Sequence, residues 1–246
     1  MSFSKVIKKI RYRLIRLRLR PIRVFCLHQV SESFDSLRCF ECDWLQTNRF
    51  KQSITELLKL YEFIPLSEAQ QKLSCSIFRC KRYAVLTFDD GYRSNLPVLN
   101  WLNSLHIPYT LFLNGKYLDG QSCSTHLLEN ARQIEASITE DEISRGLYLR
   151  PDDLLRLRAP IGSHGFEHTD ATLNDKPCFK ASILRNFACF KQSKIASIPF
   201  HAYTWGRHNE STDEVLSELG LIPVLMDNEM NYNDPTIIHR ELFPSS

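Results

Sequence analysis

The feature that most constrains the fold is an alternation of short, apolar, β-prone runs with segments of helical periodicity. The predicted strands occupy residues 22–27, 83–88, 109–113, 159–162, 198–203, 221–226 and 237–242. Helical spacing of apolar residues marks residues 49–61, 67–73, 96–105, 151–157, 179–191 and 211–219. This alternation predicts parallel βα units, arranged as an open sheet or a barrel. Residues 119–146 are polar and irregular, and a surface excursion is expected there.

The charges are unevenly distributed along the chain. Residues 1–23 carry nine Lys or Arg and no acidic residue, whereas the net charge of the whole chain is +3, so the remainder carries −6. An acidic body is a poor candidate for binding nucleic acid, which favours a basic surface. No apolar run approaches the roughly 18 residues of a membrane-spanning helix. We therefore expect neither a nucleic-acid partner nor a transmembrane protein.

Residues 1–21 form a basic amphipathic arm, and we predict that a barrel domain follows over residues 22–246. The arm's apolar residues recur at helical spacing and end before Pro21; they are Phe3, Ile7, Ile10, Leu14 and Leu17. The pattern favours a helix on an anionic membrane surface, the alternative being a helix packed on its own domain with a solvated basic face. No signal-peptide core is recognisable, which predicts a cytoplasmic protein, peripheral at the inner face of the membrane.

Cysteine usage indicates a reducing compartment. The chain has eight cysteines, but a chain of this length can be stable without disulfide bonds. Reduced thiols are therefore the favoured interpretation. Cys39 and Cys42 have the spacing of half a zinc site, which Cys75 and Cys80 would complete. A single CxxC pair is weak support, and free thiols remain the preferred interpretation.

Three clusters of residues carry candidate chemistry. Asp89 and Asp90 follow the strand predicted at 83–88, and their side chains should point in different directions. His164 and His168 are four residues apart, which on one face of a helical turn would let them share a metal ion. The third cluster is the aromatic segment 200–206, which ends in Gly206. Alone, each has an ordinary explanation: a solvated turn, a chance histidine pair, or core packing.

Two imidazoles and a carboxylate, with water completing the coordination sphere, are typical of a catalytic zinc site. We therefore expect one divalent metal ion, with zinc favoured and cobalt, nickel or iron also compatible with these ligands.

In the order TFDDGY, SHGFEH and AYTWG, the chain resembles the polysaccharide deacetylase family, also called the NodB-homology or carbohydrate esterase family 4-like group. Residues 26–30 are similar to the segment that opens one branch, in which the catalytic histidine precedes the double-aspartate motif. The resemblance covers roughly residues 22–243. It implies a distorted (β/α)7 barrel that removes acetyl groups from N-acetylated sugars, in a polysaccharide or a lipid-linked saccharide.

The resemblance also implies individual roles. Asp90, His164 and His168 would bind the metal, Asp89 would be the general base that deprotonates a metal-activated water, and His28 the general acid. The backbone amide of Tyr203 would contribute to the oxyanion hole, with Trp205 beside the substrate. Thr204 replaces the family's usual proline, and no arginine near Tyr203 matches the one that orients the base in other branches. Arg240 is assigned to substrate contact instead, and His239 is a second candidate for the acid.

Two other functions remain open from the sequence. One is hydrolysis of another C–N bond in a small amide. The other is a catalytically silent barrel that binds glycan or recruits a biosynthetic complex, against which the complete set of Asp89, Asp90, His164 and His168 argues.

Overall fold

The computed structural model describes residues 20–34, 44–75, 81–119 and 147–244. Several predictions concern residues outside these ranges: most of the basic arm, the Cys39/Cys42 pair with Cys80, and most of the predicted excursion at 119–146. They stay predictions. In the described part of the chain, none of the helices has both the length and the apolar character that a membrane span requires.

Ten strands form. They are β1 (Arg23–Leu27), β2 (Gln29–Ser31), β3 (Trp44–Gln46), β4 (Glu62–Phe63), β5 (Tyr83–Phe88), β6 (Tyr109–Leu113), β7 (Ile161–Ser163), β8 (Ser197–Ala202), β9 (Ile222–Met226) and β10 (Ile238–Leu242). The seven strands predicted from the sequence are all present, with ends displaced by at most two residues.

In the same part of the chain, six α-helices alternate with these strands. They are α1 (Thr47–Leu58), α2 (Leu66–Cys75), α3 (Leu96–Ser104), α4 (Pro151–Leu157), α5 (Lys176–Gln192) and α6 (Glu210–Glu218). Proline lies at the first or second position of α3, α4 and α5, where its missing amide proton costs nothing. Four short 3₁₀ helices lie just beyond strand ends, at Arg93–Asn95, Gly115–Asp119, Ala171–Leu173 and Thr204–Gly206.

Seven parallel strands close into a barrel, which confirms the predicted fold. The order is β1-β10-β9-β8-β7-β6-β5, and β5 pairs back onto β1 over five residues. The seam between β1 and β10 is short, since only Phe25–Glu241 and Cys26–Leu242 are paired. β4 pairs with the first residues of β5, and β2 and β3 form a separate two-stranded sheet.

Alternation along the strands divides the core into two layers. One face of β5, with Ala84, Leu86 and Phe88, packs outward in a cluster shared with residues of α1, α3 and α4. The other face places Val85 in a second cluster with inward-facing residues of the other strands and with Leu66, Ala69 and Leu73 of α2. α2 therefore packs across the amino-terminal end of the barrel, and the opposite end remains for polar side chains.

Candidate active site

The predicted site residues gather at the carboxyl-terminal end of the barrel strands, where (β/α) barrels place their sites. His28 follows β1 and Asp89 follows β5. Because Leu27 is in register with Phe88, these two residues emerge side by side. The Asp89 amide donates to the Leu27 carbonyl at 2.9 Å.

A tight turn separates the roles of the adjacent aspartates. Asp90 and Gly91 both adopt left-handed backbone conformations, with φ of 66° and 73°. A Cβ at position 91 would lie 2.5 Å from Leu113 Cδ2, so the turn requires glycine here. The turn directs the Asp90 carboxylate toward the histidines that follow β7, while the Asp89 carboxylate stays in the barrel.

Asp90, His164 and His168 meet in one buried cluster. Oδ1 of Asp90 lies 3.4 Å from Nε2 of each histidine, and this oxygen accepts no hydrogen bond from the described residues. Ligands that share a metal tetrahedrally at about 2.0–2.1 Å lie about 3.3–3.4 Å apart. The spacing, the burial and the donor set therefore fit a divalent metal ion.

Backbone groups hold the first histidine in the orientation that a metal needs. Nδ1 of His164 donates to the Ala202 carbonyl at 2.8 Å, which leaves Nε2 of the neutral ring as the ligand atom. Asn114 Nδ2 donates to the carbonyls of His164 and Gly165, at 2.6 and 3.2 Å. The helical turn expected for residues 164–168 is wrong: the segment is a loop that reverses at Gly165, with φ of 82°. The loop brings the rings to a centroid distance of 5.3 Å without helical geometry.

Arg240, which was predicted to contact substrate, pairs with Asp89 in the structure, and its contact with substrate stays a prediction. Its side chain is 1% exposed, and its Nη1 and Nη2 donate to the two Asp89 oxygens at 2.7 and 2.8 Å. Burial raises the pKa of Asp89, but the charge and hydrogen bonds of Arg240 outweigh this and hold that pKa below its usual value. Arg240 thus keeps Asp89 ionised and fixes its orientation. The sequence missed this pair because it joins two strands 151 residues apart.

His28 and Cys26 complete the environment of Asp89. A ring nitrogen of His28, the Cys26 sulfur and an Asp89 oxygen all lie within 4.8 Å of one another. The Cys26 thiol donates to Asp89 Oδ2 at 3.5 Å, and burial raises the pKa of that thiol well above its usual value. Asn95 holds the segment that carries His28, since it donates to the His28 carbonyl and accepts from the Val30 amide.

His239 lies away from the other candidates. Neighbouring residues of β10 point to opposite faces, so the inward position of Arg240 places His239 outside the barrel. There its Nδ1 is 2.7 Å from Asp227 Oδ2. The geometry favours His28 over His239 as the acid.

Tyr203 and Trp205 follow β8 at the rim of the site. The Tyr203 ring is buried, with its hydroxyl donating to Asp213 at 2.7 Å, so only its backbone is offered to a ligand. Trp205 is 52% exposed and meets the His168 ring edge-on at 4.6 Å, from a left-handed conformation with φ of 53°. Their proposed roles with substrate stay predictions.

Sequence reasoning missed the polar side chains behind the site. Asn186 of α5 is buried, accepts from the Gly115 amide and donates to Ser163 Oγ, the residue before His164. His201 contacts the same hydroxyl at 3.0 Å, and burial with the charges of His164 and Arg240 lowers its pKa to about 3, which keeps it neutral. These side chains could have been found from the sequence by looking for polar residues at core positions of a helix or strand, as with Asn186 in α5.

Comparison with known proteins agrees with this geometry. The sequence profile of the family described as polysaccharide deacetylase matches residues 79–224. A comparison with curated protein sequences found no match.

Several solved structures share the fold at low sequence identity. IcaB from Ammonifex degensii is 19% identical, with 91% of each chain covered and a TM-score of 0.69. The deacetylase PplD from Streptococcus pyogenes, solved with acetate, is 15% identical, with 91% of this chain and 93% of that chain covered and a TM-score of 0.72. A de-N-acetylase from Aggregatibacter actinomycetemcomitans is 13% identical, with coverage of 92% and 95% and a TM-score of 0.69.

At such identities the structures establish the fold, and the profile match, which spans more than half of the chain, establishes the family. The chain belongs to the polysaccharide deacetylase family and is a hydrolase of the sugar N-deacetylase class.

Proposed function

We propose that this enzyme removes the acetyl group from an N-acetylated sugar, in a polysaccharide or a lipid-linked saccharide, and that it requires a divalent metal ion. Asp90, His164 and His168 would hold the metal. The observation that carries the proposal is the proximity of two differently built centres: a buried triad spaced for a metal, and beside it a carboxylate held ionised by Arg240. Zinc is the favoured ion, with cobalt, nickel or iron as alternatives.

Asp89 serves as the general base in this proposal. Its carboxylate accepts a proton from the water that attacks the acetyl carbon, and its pairing with Arg240 keeps it ionised and oriented for that step. A metal bound at the triad supplies Lewis-acid chemistry, lowering the pKa of water and polarising the acetyl carbonyl.

His28 serves as the general acid and Tyr203 as an oxyanion donor. Collapse of the tetrahedral intermediate needs a proton on the leaving nitrogen, and an imidazole titrates in the range that can provide it. The backbone amide of Tyr203 would donate to the developing oxyanion from the end of β8. The products are acetate and the free amine of the sugar.

The test is acetate release. Protein loaded with one equivalent of zinc is incubated with N-acetylglucosamine oligomers, and acetate and new amines are counted in parallel. We expect equal amounts of both, and neither with an Asp89→Asn control that retains its zinc. Fully loaded protein that releases no acetate from any N-acetylated saccharide would contradict the proposal.

We propose further that the basic arm binds the anionic inner face of the membrane. Supporting this are nine positive charges and an apolar stripe within residues 1–23. Deleting residues 2–20 should strongly weaken co-sedimentation with phosphatidylglycerol vesicles and leave turnover of a soluble substrate unchanged, because the site residues begin at Cys26. Equal binding by both forms would mean that the arm is a solvated helix.

A further inference from the structure

The two ends of the barrel differ in charge. Seven described segments lead into strands at the amino-terminal end: 20–22, 59–61, 81–82, 105–108, 158–160, 193–196 and 219–221. Together they contain six basic residues and, within these described segments, no Asp or Glu; the six are Arg20, Lys59, Lys81, Arg82, Arg158 and Lys194. The amino-terminal end is therefore a basic surface.

Neighbouring acids reduce this charge without reversing it. Lys59 and Lys81 form exposed ion pairs at 2.6 Å with Glu56 and Glu62, at the adjoining ends of α1 and β4. On α2, which packs across this end, Glu68 and Lys72 pair with each other. Even when all of these acids are counted against the cations, the net charge of the end stays positive. Large apolar side chains lie exposed beside the cations, namely Leu58, Leu60 and Leu105.

The carboxyl-terminal end does not share this basic character. Its described connections, 28–34, 89–95, 114–119, 147–150, 164–175, 203–209 and 243–244, contain seven acidic and four basic residues. Two of these acids are buried in the site, Asp89 against Arg240 and Asp90 beside the histidines, which leaves five acidic residues against four basic ones. The 227–237 connection runs between the two ends: Asn231 contacts Ile22, and Gln70 of α2 donates to the Pro235 carbonyl, so this segment adds Asp234 to the amino-terminal end without reversing its positive charge.

We infer that the amino-terminal end of the barrel is a second membrane-binding surface, which rests on anionic lipid with the active-site mouth pointing away. Arg20 joins the basic arm to this same end, directly before β1. Arm and barrel end would thus contact one plane, with cations facing lipid phosphates and exposed leucines at the headgroup level. Among the described residues, the active-site mouth has no such excess of cations, so the charge distribution favours one orientation.

This orientation narrows the class of saccharide that can reach the site. The conclusion rests on the proposed deacetylase function. β5 spans six residues from the basic end to Asp89. At about 3.3 Å per residue and a strand tilt of about 35–45°, the site lies on the order of 15 Å above the headgroups. A sugar attached directly to a membrane lipid would not reach it. The acetylated residues that do reach it belong to a longer saccharide that extends from the membrane, or to a soluble one.

A matched pair of tryptophan variants tests the orientation. Leu60→Trp places an added fluorophore at the amino-terminal end, and Leu173→Trp places one near the mouth; both native leucines are exposed, by 55% and 83%. Full-length protein is bound to phosphatidylcholine vesicles containing phosphatidylglycerol, with or without brominated chains, which quench tryptophan on close approach. We expect strong quenching of the fluorescence added by Leu60→Trp and none of that added by Leu173→Trp. Equal quenching of both, or the reverse order, would overturn the inference.

A matched pair of charge variants tests the surface itself. Lys81→Gln/Arg82→Gln removes two charges from the basic end, and Lys176→Gln/Lys180→Gln removes two from the start of α5. The first pair of substitutions removes the ion pair of Lys81 with Glu62, whereas the second removes three ion pairs, so a larger effect of the first cannot come from lost ion pairs. We expect the first pair to weaken binding to the anionic vesicles about tenfold or more and the second less than about twofold. Equal effects, or none, would contradict a membrane surface on the barrel.

The outcomes separate the orientation from the enzymatic function. Acetate release from a soluble N-acetylated oligosaccharide is measured for all four variants without vesicles. If Leu60→Trp is not quenched but acetate is released, the orientation is wrong and the proposed function stands. If quenching is as expected but no variant or wild type releases acetate, the proposed function is wrong and the membrane surface stands.

Discussion

Asp89 and Asp90 are neighbours in the chain, yet their carboxylates lie in two different chemical environments. Asp90 faces two histidines at 3.4 Å, whereas Asp89 faces a guanidinium and a thiol. The left-handed turn at Asp90 and Gly91 separates them. The comparison shows that the Asp90 carboxylate is placed to share a cation with two imidazoles. The Asp89 carboxylate is instead held ionised and oriented, so that it can accept a proton.

The largest effect should come from removing a ligand on the Asp90 side. His164→Ala deletes one of three metal ligands, so we expect both the bound metal and all measurable deacetylation to be lost. Metal content of the purified variant is the measurement, and His239→Ala, which changes a histidine outside the barrel, is the control. A variant as fully loaded as wild type would show that the ligand assignment is wrong.

Substitution on the Asp89 side should separate catalysis from metal binding. Asp89→Asn is nearly isosteric but cannot accept the proton of water at a useful pKa, so we expect kcat to fall about 10²–10⁴-fold with the metal retained. Metal content and acetate release are measured on the same sample. A variant that keeps a tenth or more of the wild-type rate would exclude Asp89 as the essential base.

The acid can be tested against its alternative. His28→Ala should lower kcat about 10²-fold and leave folding and metal content unchanged, because general acids typically contribute at least this much. His239→Ala should change kcat less than twofold, since its ring pairs with Asp227 outside the barrel. Acetate release by both variants, measured at one pH, shows which histidine contributes more to kcat. The reverse order would transfer the acid role to His239.

Among the substitutions within the site, the smallest effect on rate is expected from a conservative change of Arg240, the partner of Asp89. Arg240→Lys keeps the charge but loses the two-pronged contact with Asp89, and we expect kcat to fall about tenfold. Arg240→Met, by contrast, leaves a buried carboxylate without its partner and should lower the free energy of unfolding by about 3–5 kcal/mol. Chemical denaturation measures this, with Arg23→Lys at the partly exposed Arg23–Glu241 pair as the control. An unchanged rate in Arg240→Lys would mean that Asp89 needs only the positive charge.

Much of the fold could be predicted from the sequence because buried parallel strands are continuous apolar runs bounded by turns. The run 83–88 coincides with β5, and the helix predicted at 151–157 coincides with α4. Barrel closure could not be predicted from spacing, since pairing between Phe25 and Glu241 leaves no local pattern. Only the resemblance to a family supplied that expectation.

The candidate site was predictable where its residues form short motifs. Asp90, His164 and His168 were named from the sequence, and the structure brings them together. The local geometry was not predictable, because spacing of four residues suggests a helix whereas Gly165 permits a loop. The pairing of Arg240 with Asp89 was not predicted because the inward position of Arg240 depends on the register of β10 against β9 and β1, which no local pattern of residues reveals.

β10 supplies both the closing strand of the barrel and the arginine that holds the catalytic base. Its partner β1 lies more than 200 residues earlier, so the pairing that closes the barrel requires the closure of a very long loop. A chain with β5 to β9 paired and β10 undocked would bring Asp90 near its histidines while Asp89 lacked Arg240. We therefore expect loosening of the β10 strand to abolish turnover before it abolishes metal binding.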